Sequence, residues 1–159
     1  SWINFVLPES KKPVKTYSSG SYTIASTTTK IDLGMTLIKP VTSGYTITSR
    51  YGARWGSTHT GTDVGASTGT PIYAAASGTV LFSGWKGTLG KLVVINHGNG
   101  VQTYYAHCSK IIASVGDEVS KGDLIGLVGS TGRSSGPHVH LEVRYEGKTL
   151  DPEVFVYSK

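Results

Sequence analysis

The chain has 159 residues, of which 38% are hydrophobic and 16% charged, and it contains 21 glycines. This combination is typical of a single turn-rich β domain and argues against a helical bundle or a disordered chain. No apolar run approaches the ~20 residues that a membrane-spanning helix requires, so we expect no membrane span in this chain.

The chain is basic: 15 Lys and Arg residues outnumber 10 Asp and Glu residues, for a formal net charge of +5. This balance favours anionic partners such as wall polymers, membranes or nucleic acid, although it serves solubility equally well. The basic residues form no dense block with interleaved aromatics, which argues against a nucleic-acid module. The single cysteine, Cys108, excludes an internal disulfide framework, and we interpret it as a small buried hydrophobe.

The chain is predicted to divide into two parts. Residues 1–42 are rich in Ser, Thr and Lys and are expected to form an N-terminal extension or linker, which could occlude a cleft in the following part. The opening stretch SWINFVLPES has no basic segment before an apolar one, so we expect a mature form or a fragment without its signal or anchor. Residues 43–159 are expected to form the folded domain.

The domain is predicted to be all-β, with antiparallel sheets stacked on one another. Its candidate strands are β-branched or aromatic and are bounded by Gly, Asn or Ser. Asn99-Gly100 predicts a tight hairpin, because both residues tolerate positive φ. The final DPEVFVY is expected to form a single helical turn. The candidate strands are YTITSR, PIYAAA, GTVLFSGW, KLVVINH, VQTYYAH, DLIGLVG and HVHLEVRY.

The stretch HTGTD, His59 to Asp63, begins and ends with residue types that bind metals. Gly61 disfavours a helix, so we expect a short bend to bring the imidazole and the carboxylate together. Both are ligand types that suit Zn²⁺. Taken alone the spacing is a weak signal, since most such pairs are ordinary surface residues.

The stretch PHVHLEVR places two histidines one residue apart in an alternating run. In a β-strand such residues share a face, so both imidazoles reach one small site, where one can bind a metal and the other can meet a metal-bound water or the substrate. The alternative is two half-exposed histidines on a polar sheet face. Glu142 either orients a ligand imidazole or is an exposed strand residue. The shared face carries His138, His140, Glu142 and Arg144.

A third histidine, His107, ends the strand VQTYYAH. Simple alternation predicts that Tyr105 and His107 share one face and that Tyr104 takes the other. His97 stands at the mouth of the Asn-Gly hairpin, and we expect it to make local hydrogen bonds.

Together these segments resemble the M23 zinc metallopeptidases, the lysostaphin-like or LytM-type peptidoglycan endopeptidases. HTGTD, YYAH and SSGPHVHLEV match, in order, the family's HxxxD motif, a lone histidine after an aromatic-rich strand, and its HxH motif. The resemblance covers about residues 46–155, and the ordered set is far more specific than any one motif. No expected motif residue is missing.

The resemblance implies a role for each matching residue. His59, Asp63 and His140 match the zinc ligands, whereas His107 and His138 match the catalytic pair. The implied activity is hydrolysis of peptide bonds in peptidoglycan stem or cross-bridge peptides by a zinc-bound water, in an extracellular or cell-wall-associated bacterial protein. One unligated imidazole would move the proton and the other would stabilise the oxyanion, and the sequence does not say which.

Other function classes stay open at this point. A catalytically silent or latent wall-binding or scaffold domain on the same fold would be favoured by loss of a ligand or a catalytic histidine, and none is lost. A different zinc hydrolase, such as a D-Ala-D-Ala carboxypeptidase or an N-acetylmuramyl amidase, is disfavoured by the short HxxxD spacing and the HxH strand.

Overall fold

The computed structural model describes residues 31–54 and 57–157, so residues 1–30 of the predicted extension lie outside the described residues. Helical structure within these ranges is limited to a 3₁₀ turn at Gly87–Leu89 and a π-helical turn at Glu153–Tyr157. None of the helices in these ranges is long and apolar enough to cross a membrane. The strands are β1 Thr46–Ser49, β2 Gly52–Arg54, β3 Ser57–His59, β4 Thr62–Gly65, β5 Pro71–Tyr73, β6 Gly78–Trp85, β7 Lys91–Gly98, β8 Val101–Cys108, β9 Lys110–Ile111, β10 Glu118–Val119, β11 Leu124–Leu127, β12 His138–Tyr145 and β13 Lys148–Leu150.

The strands form one large sheet, a small sheet and a two-stranded ribbon. The large sheet has eight strands in the order β1-β4-β12-β8-β7-β6-β10, with β13 paired to β12. The small sheet has the order β5-β11-β9, and the ribbon is β2-β3. Every pairing between these strands is antiparallel. The predicted all-β fold of stacked antiparallel sheets is confirmed.

The main core lies between the large and small sheets. Val139, Leu141 and Val143 alternate along β12 and are fully buried, in one cluster with Ile72 of β5 and Ile125 of β11. Full burial of each such side chain contributes roughly 1.5–3 kcal/mol. This packing fixes the register of β12 and leaves the intervening residues, which include the histidines, on the opposite face.

The described part of the predicted extension, residues 31–42, packs onto this core. Backbone hydrogen bonds join Ile38 N to the Ala75 carbonyl at 2.9 Å and Tyr73 N to the Pro40 carbonyl at 2.8 Å. These residues therefore contribute to the core, and a division at residue 42 stays a prediction. The buried residues of the segment are Ile31, Leu33, Leu37, Pro40 and Val41.

The predicted Asn-Gly hairpin joins β7 to β8. Asn99 has φ 55° and Gly100 has φ 82°, so both adopt the positive φ that a two-residue turn of this kind requires. The hairpin places β8 beside β12 at the centre of the large sheet.

His97 makes one hydrogen bond across its own hairpin, as the predicted local role implies, and a second to Ser77, which lies 20 residues away. Its Nδ1 donates to the Ser77 carbonyl at 2.8 Å, and its Nε2 accepts from the Thr103 hydroxyl at 2.7 Å. The Thr103 hydroxyl lies 2.6 Å from the Tyr105 hydroxyl, which accepts from Ala75 N at 3.0 Å. The chain of bonds ties the hairpin to the segment after β5.

This arrangement predicts that the domain loses stability as the pH falls below about 6.5. Burial lowers the pKa of His97 from 6.5 to about 4, so between these values the unfolded chain binds the proton and the folded one does not. Between pH 7 and pH 5 the loss due to His97 is on the order of 1–2 kcal/mol. Urea unfolding of the zinc-loaded protein at pH 7 and pH 5 measures this change in the free energy of unfolding. The His97→Gln variant should lose less stability between the two pH values than the wild type. Equal losses in the two proteins would show that His97 does not cause the pH dependence.

Candidate metal centre and active site

Three adjacent strands of the large sheet bring four of the predicted site residues together, and His59 joins them from the end of ribbon strand β3. β12 lies between β4 and β8, with His140 opposite Asp63 on one side and Ala106 on the other. A cleft of about 380 Å³ opens at this end of the sheet. All five residues singled out from the sequence line it: His59, Asp63, His107, His138 and His140.

One oxygen of Asp63 lies close to two imidazoles, and a third, that of His138, has its Nε2 further away, at 3.8 Å. Asp63 Oδ1 lies 3.3 Å from His59 Nε2 and 3.0 Å from His140 Nδ1. Donor atoms around a tetrahedral zinc ion lie roughly 3.3 Å apart, because each bond is about 2.0–2.2 Å long. Two imidazoles and one carboxylate also suit zinc chemically, and they leave one tetrahedral position for a further ligand. The three residues therefore fit a zinc ion.

The HTGTD stretch reaches β12 through the predicted bend. His59 ends β3 and Asp63 lies in β4, with the bend between them. Gly61 allows the close approach, since a Cβ there would lie 2.3 Å from the Leu141 carbonyl oxygen and 3.0 Å from His140 Cε1. Any larger residue would push the HxxxD segment away from the HxH strand.

In each ligand imidazole, the ring nitrogen that faces away from Asp63 makes a hydrogen bond to another residue. His59 Nδ1 donates to the Arg50 carbonyl at 2.9 Å, and His140 Nε2 donates to Glu142 Oε2 at 2.8 Å. Arg50 is itself anchored by an ion pair with Glu153 in the C-terminal turn. These bonds turn His59 Nε2 and His140 Nδ1 toward Asp63, as a metal requires.

Glu142 is buried beneath His140, being only 3% exposed, so the alternative of an exposed strand residue is wrong. Its Oε2 also accepts from the Thr60 hydroxyl at 2.7 Å. Its Oε1 accepts from Arg144 Nε at 2.8 Å and Nη2 at 2.6 Å. The Arg144 guanidinium in turn lies 4.1 Å from the centroid of the Tyr104 ring.

Burial and charge act in opposite directions on the pKa values here. Burial alone would lower the pKa of His140, but hydrogen bonds to Asp63 and Glu142 raise it to about 9. Burial would raise the pKa of Glu142, but contacts with His140, Arg144 and Thr60 hold it at about 2. The pKa of Asp63 is also lowered, because its histidine neighbours outweigh its burial. Both carboxylates are ionised at neutral pH, and a metal would replace the proton on His140 Nδ1.

We expect Glu142→Gln to weaken zinc binding by about 10- to 100-fold, because the ligand imidazole loses its charged partner and Arg144 loses its carboxylate. Competition with a chromogenic chelator measures the affinity. Glu146→Gln is the matched control, since Glu146 is exposed in the turn after β12. Equal affinities for the two variants would show that Glu142 does not support the ligand.

His107 reaches the cleft through a bulge, and the predicted sharing of a face with Tyr105 is wrong. Tyr105 is fully buried in the core, whereas His107 lines the cleft. Lys91 pairs with Cys108 and Val93 with Tyr105, so β8 has one residue more than β7 between these pairs. His107 lies in this bulge and adopts a positive φ of 65°. The bulge breaks the alternation and turns the side chain to the other face.

His107 and His138 form a pair whose ring centroids lie 4.7 Å apart. His107 Nδ1 donates to the Thr131 carbonyl at 2.7 Å, and His138 Nδ1 donates to the Gly136 carbonyl at 2.8 Å. The Nε2 atom of each ring is therefore the one available for chemistry. Burial lowers the pKa of His107, which favours its neutral form.

Cys108 takes no part in this cleft. It is fully buried in the core, and burial raises the pKa of its thiol to about 12. The interpretation as a small buried hydrophobe is confirmed.

This fold and this donor set define a zinc metallopeptidase centre, and comparison with known proteins agrees. The model of peptidase family M23 matches residues 57–152, more than half of the chain. The chain belongs to peptidase family M23, as the ordered motifs predicted.

The chain is similar to several named peptidases. The DD-carboxypeptidase/endopeptidase Mpg of Neisseria meningitidis serogroup B is 50% identical over 94 residues, which are 59% of this chain and 22% of that protein. The peptidoglycan DD-endopeptidase ShyA of Vibrio cholerae is 43% identical over 93 residues, 58% of this chain and 22% of that protein. The crystal structure of a zinc containing peptidase from Vibrio cholerae matches with a TM-score of 0.69 at 32% identity, covering 74% of this chain and 39% of that one. The chain spans about a fifth of the length of the two curated relatives.

Proposed function

We propose that this chain is the catalytic part of a zinc-dependent endopeptidase that hydrolyses peptide bonds in peptidoglycan stem or cross-bridge peptides. The observation that carries the proposal is the convergence of His59 Nε2, Asp63 Oδ1 and His140 Nδ1 beside the His107 and His138 pair in one cleft. The name of one relative, a peptidoglycan DD-endopeptidase, supports this polymer as the substrate.

Zinc held by His59, Asp63 and His140 would supply Lewis acidity, which lowers the pKa of a water and polarises the scissile carbonyl. The protein's own contribution is proton transfer and charge stabilisation by the unligated pair. His107, kept neutral by burial, accepts a proton at Nε2 from the attacking water and passes it to the leaving amine. His138, when protonated at Nε2, donates to the developing oxyanion.

The charge of the cleft rim supports a peptide that carries carboxylates. Arg133 is exposed and lines the cleft, and its backbone N is anchored to the Thr88 carbonyl at 2.8 Å. A guanidinium binds carboxylates well, and stem peptides carry them. The formal charge of +5 also favours a location on anionic wall polymers outside the cytoplasm.

A second candidate is DD-carboxypeptidase activity. The motif spacing disfavours a separate carboxypeptidase class, but the relative Mpg, 50% identical to this chain over 94 residues, is named both as a DD-carboxypeptidase and as an endopeptidase. The same cleft chemistry serves both, since only the position of the scissile bond differs.

Digestion of purified peptidoglycans of several chemotypes, followed by mass spectrometry of the products, tests the proposal. New amine termini inside stem or cross-bridge peptides are the expected result. Release of D-alanine alone would replace endopeptidase by carboxypeptidase activity, and lactyl ends freed of peptide would indicate an amidase. A zinc-loaded protein that cleaves none of the chemotypes would favour the latent or scaffold alternative.

A further inference from the structure

We propose that Thr131 is the positioning residue of His107 and that a glycine-to-glycine contact between two loops holds it in place. The loops are residues 86–90, which follow β6, and residues 130–137, which precede β12. The inference rests on the proposed function only in giving His107 a catalytic role.

His107 needs an external support because its backbone is strained. A non-glycine residue in the left-handed region, here at φ 65°, is sterically strained and persists where its surroundings fix it. The Thr131 carbonyl accepts from His107 Nδ1 at 2.7 Å. Because a carbonyl only accepts, this bond keeps the proton on Nδ1 and leaves Nε2 for the cleft.

The hydroxyl of Thr131 ties the residue to both strands at the bulge. Thr131 Oγ1 accepts from Lys91 N at 3.1 Å and donates to the Cys108 carbonyl at 2.7 Å. Lys91 and Cys108 are the pair that closes the bulge containing His107. The carbonyl and the hydroxyl of one residue therefore act on the same piece of β8.

The two loops touch through backbone that tolerates no side chain. A Cβ on Gly90 would lie 2.5 Å from both the carbon and the oxygen of the Thr131 carbonyl. A Cβ on Gly132 would lie 2.4 Å from Gly90 N and 2.5 Å from the Thr88 carbonyl oxygen. A side chain at Gly90 would thus displace the carbonyl that holds His107.

The first test compares Thr131→Val with Thr131→Ser in the zinc-loaded protein. We expect Thr131→Val, which removes the hydroxyl at similar volume, to lower kcat by about 10- to 100-fold with KM and zinc content unchanged. Thr131→Ser, which keeps the hydroxyl, should retain most of the activity. In ¹⁵N NMR the His107 Nδ1–H resonance should persist in wild type and Thr131→Ser and be shifted or lost in Thr131→Val.

The second test compares Gly90→Ala with Gly87→Ala. Both glycines have positive φ, 65° and 53°, but a Cβ on Gly87 has nothing within 4 Å. Gly90 also has ψ −139°, a combination that favours glycine, so the His107 Nδ1–H resonance in Gly90→Ala is measured beside kcat to separate the loop contact from local strain. We therefore expect a loss of kcat on the order of 100-fold for Gly90→Ala and little loss for Gly87→Ala, with both proteins folded by circular dichroism.

Either of two results would overturn the proposal. One is an unchanged His107 Nδ1–H resonance in both Thr131→Val and Gly90→Ala. The other is an equal loss in Gly87→Ala and Gly90→Ala, which would assign the effect to backbone strain alone. Failure of the proposed function would appear differently, as an inactive wild type, and the NMR comparison would still decide the positioning role.

Discussion

Asp63→Ala is expected to abolish stoichiometric zinc binding and to lower turnover by at least about 10³-fold. Asp63 Oδ1 is the atom that both ligand imidazoles approach, at 3.3 and 3.0 Å, and it is the single carboxylate of the three-residue set. A metal's Lewis acidity contributes several kcal/mol to the transition state, and each ~1.4 kcal/mol is a tenfold change in rate. Zinc content by mass spectrometry and turnover on a defined muropeptide measure both effects.

His140→Ala should also abolish stoichiometric zinc binding and lower turnover, because it removes the Nδ1 atom that would bind the metal. It also leaves Glu142 buried without its imidazole partner. Glu118→Ala is a suitable control, since Glu118 lies on the edge strand β10 and is exposed. Stoichiometric zinc in both Asp63→Ala and His140→Ala would show that the ion binds elsewhere.

His107→Ala and His138→Ala are expected to retain zinc and to lose about 10²- to 10⁴-fold in kcat, the usual size of a general acid–base contribution. Neither ring lies in the ligand set formed by His59, Asp63 and His140. Their Nδ1 atoms are occupied by backbone carbonyls, so each contributes to catalysis through Nε2. Turnover measured at saturating substrate, with zinc content determined on the same samples, separates catalysis from metal binding.

His97→Ala is the matched histidine control, because His97 does not line the cleft and belongs to the hydrogen-bond chain behind the hairpin. It should lower stability and leave turnover per folded molecule unchanged. Loss of zinc in His107→Ala would contradict the division between ligands and catalytic residues.

The elements that were predicted correctly from the sequence are those whose signal is local. HVHLEVRY forms β12 over its whole length, because its alternate apolar residues are fully buried and include the strand-forming Val139 and Val143. Asn99-Gly100 forms the hairpin because positive φ at both positions is a property of the residues themselves. The cleft residues were identified through the resemblance of the ordered histidine motifs to the M23 family, because the local spacing of each motif alone left other interpretations open.

The features that the sequence did not predict depend on contacts between distant segments. The bulge at His107 arises from pairing between β7 and β8 and leaves no mark on the alternation of VQTYYAH. Thr60 and Thr131 escaped notice because their partners, Glu142 and His107, lie far along the chain. The burial of Glu142 likewise depends on Thr60 and Arg144 closing around it, although the HTGTD motif already contained Thr60.

The most direct test of the metal centre is a crystal structure of the zinc-loaded protein with anomalous data collected at the zinc edge. We predict one strong peak within about 2.0–2.2 Å of His59 Nε2, Asp63 Oδ1 and His140 Nδ1, with His107 and His138 unligated. A peak at any other group of residues, or one coordinated by His107 or His138, would contradict the account.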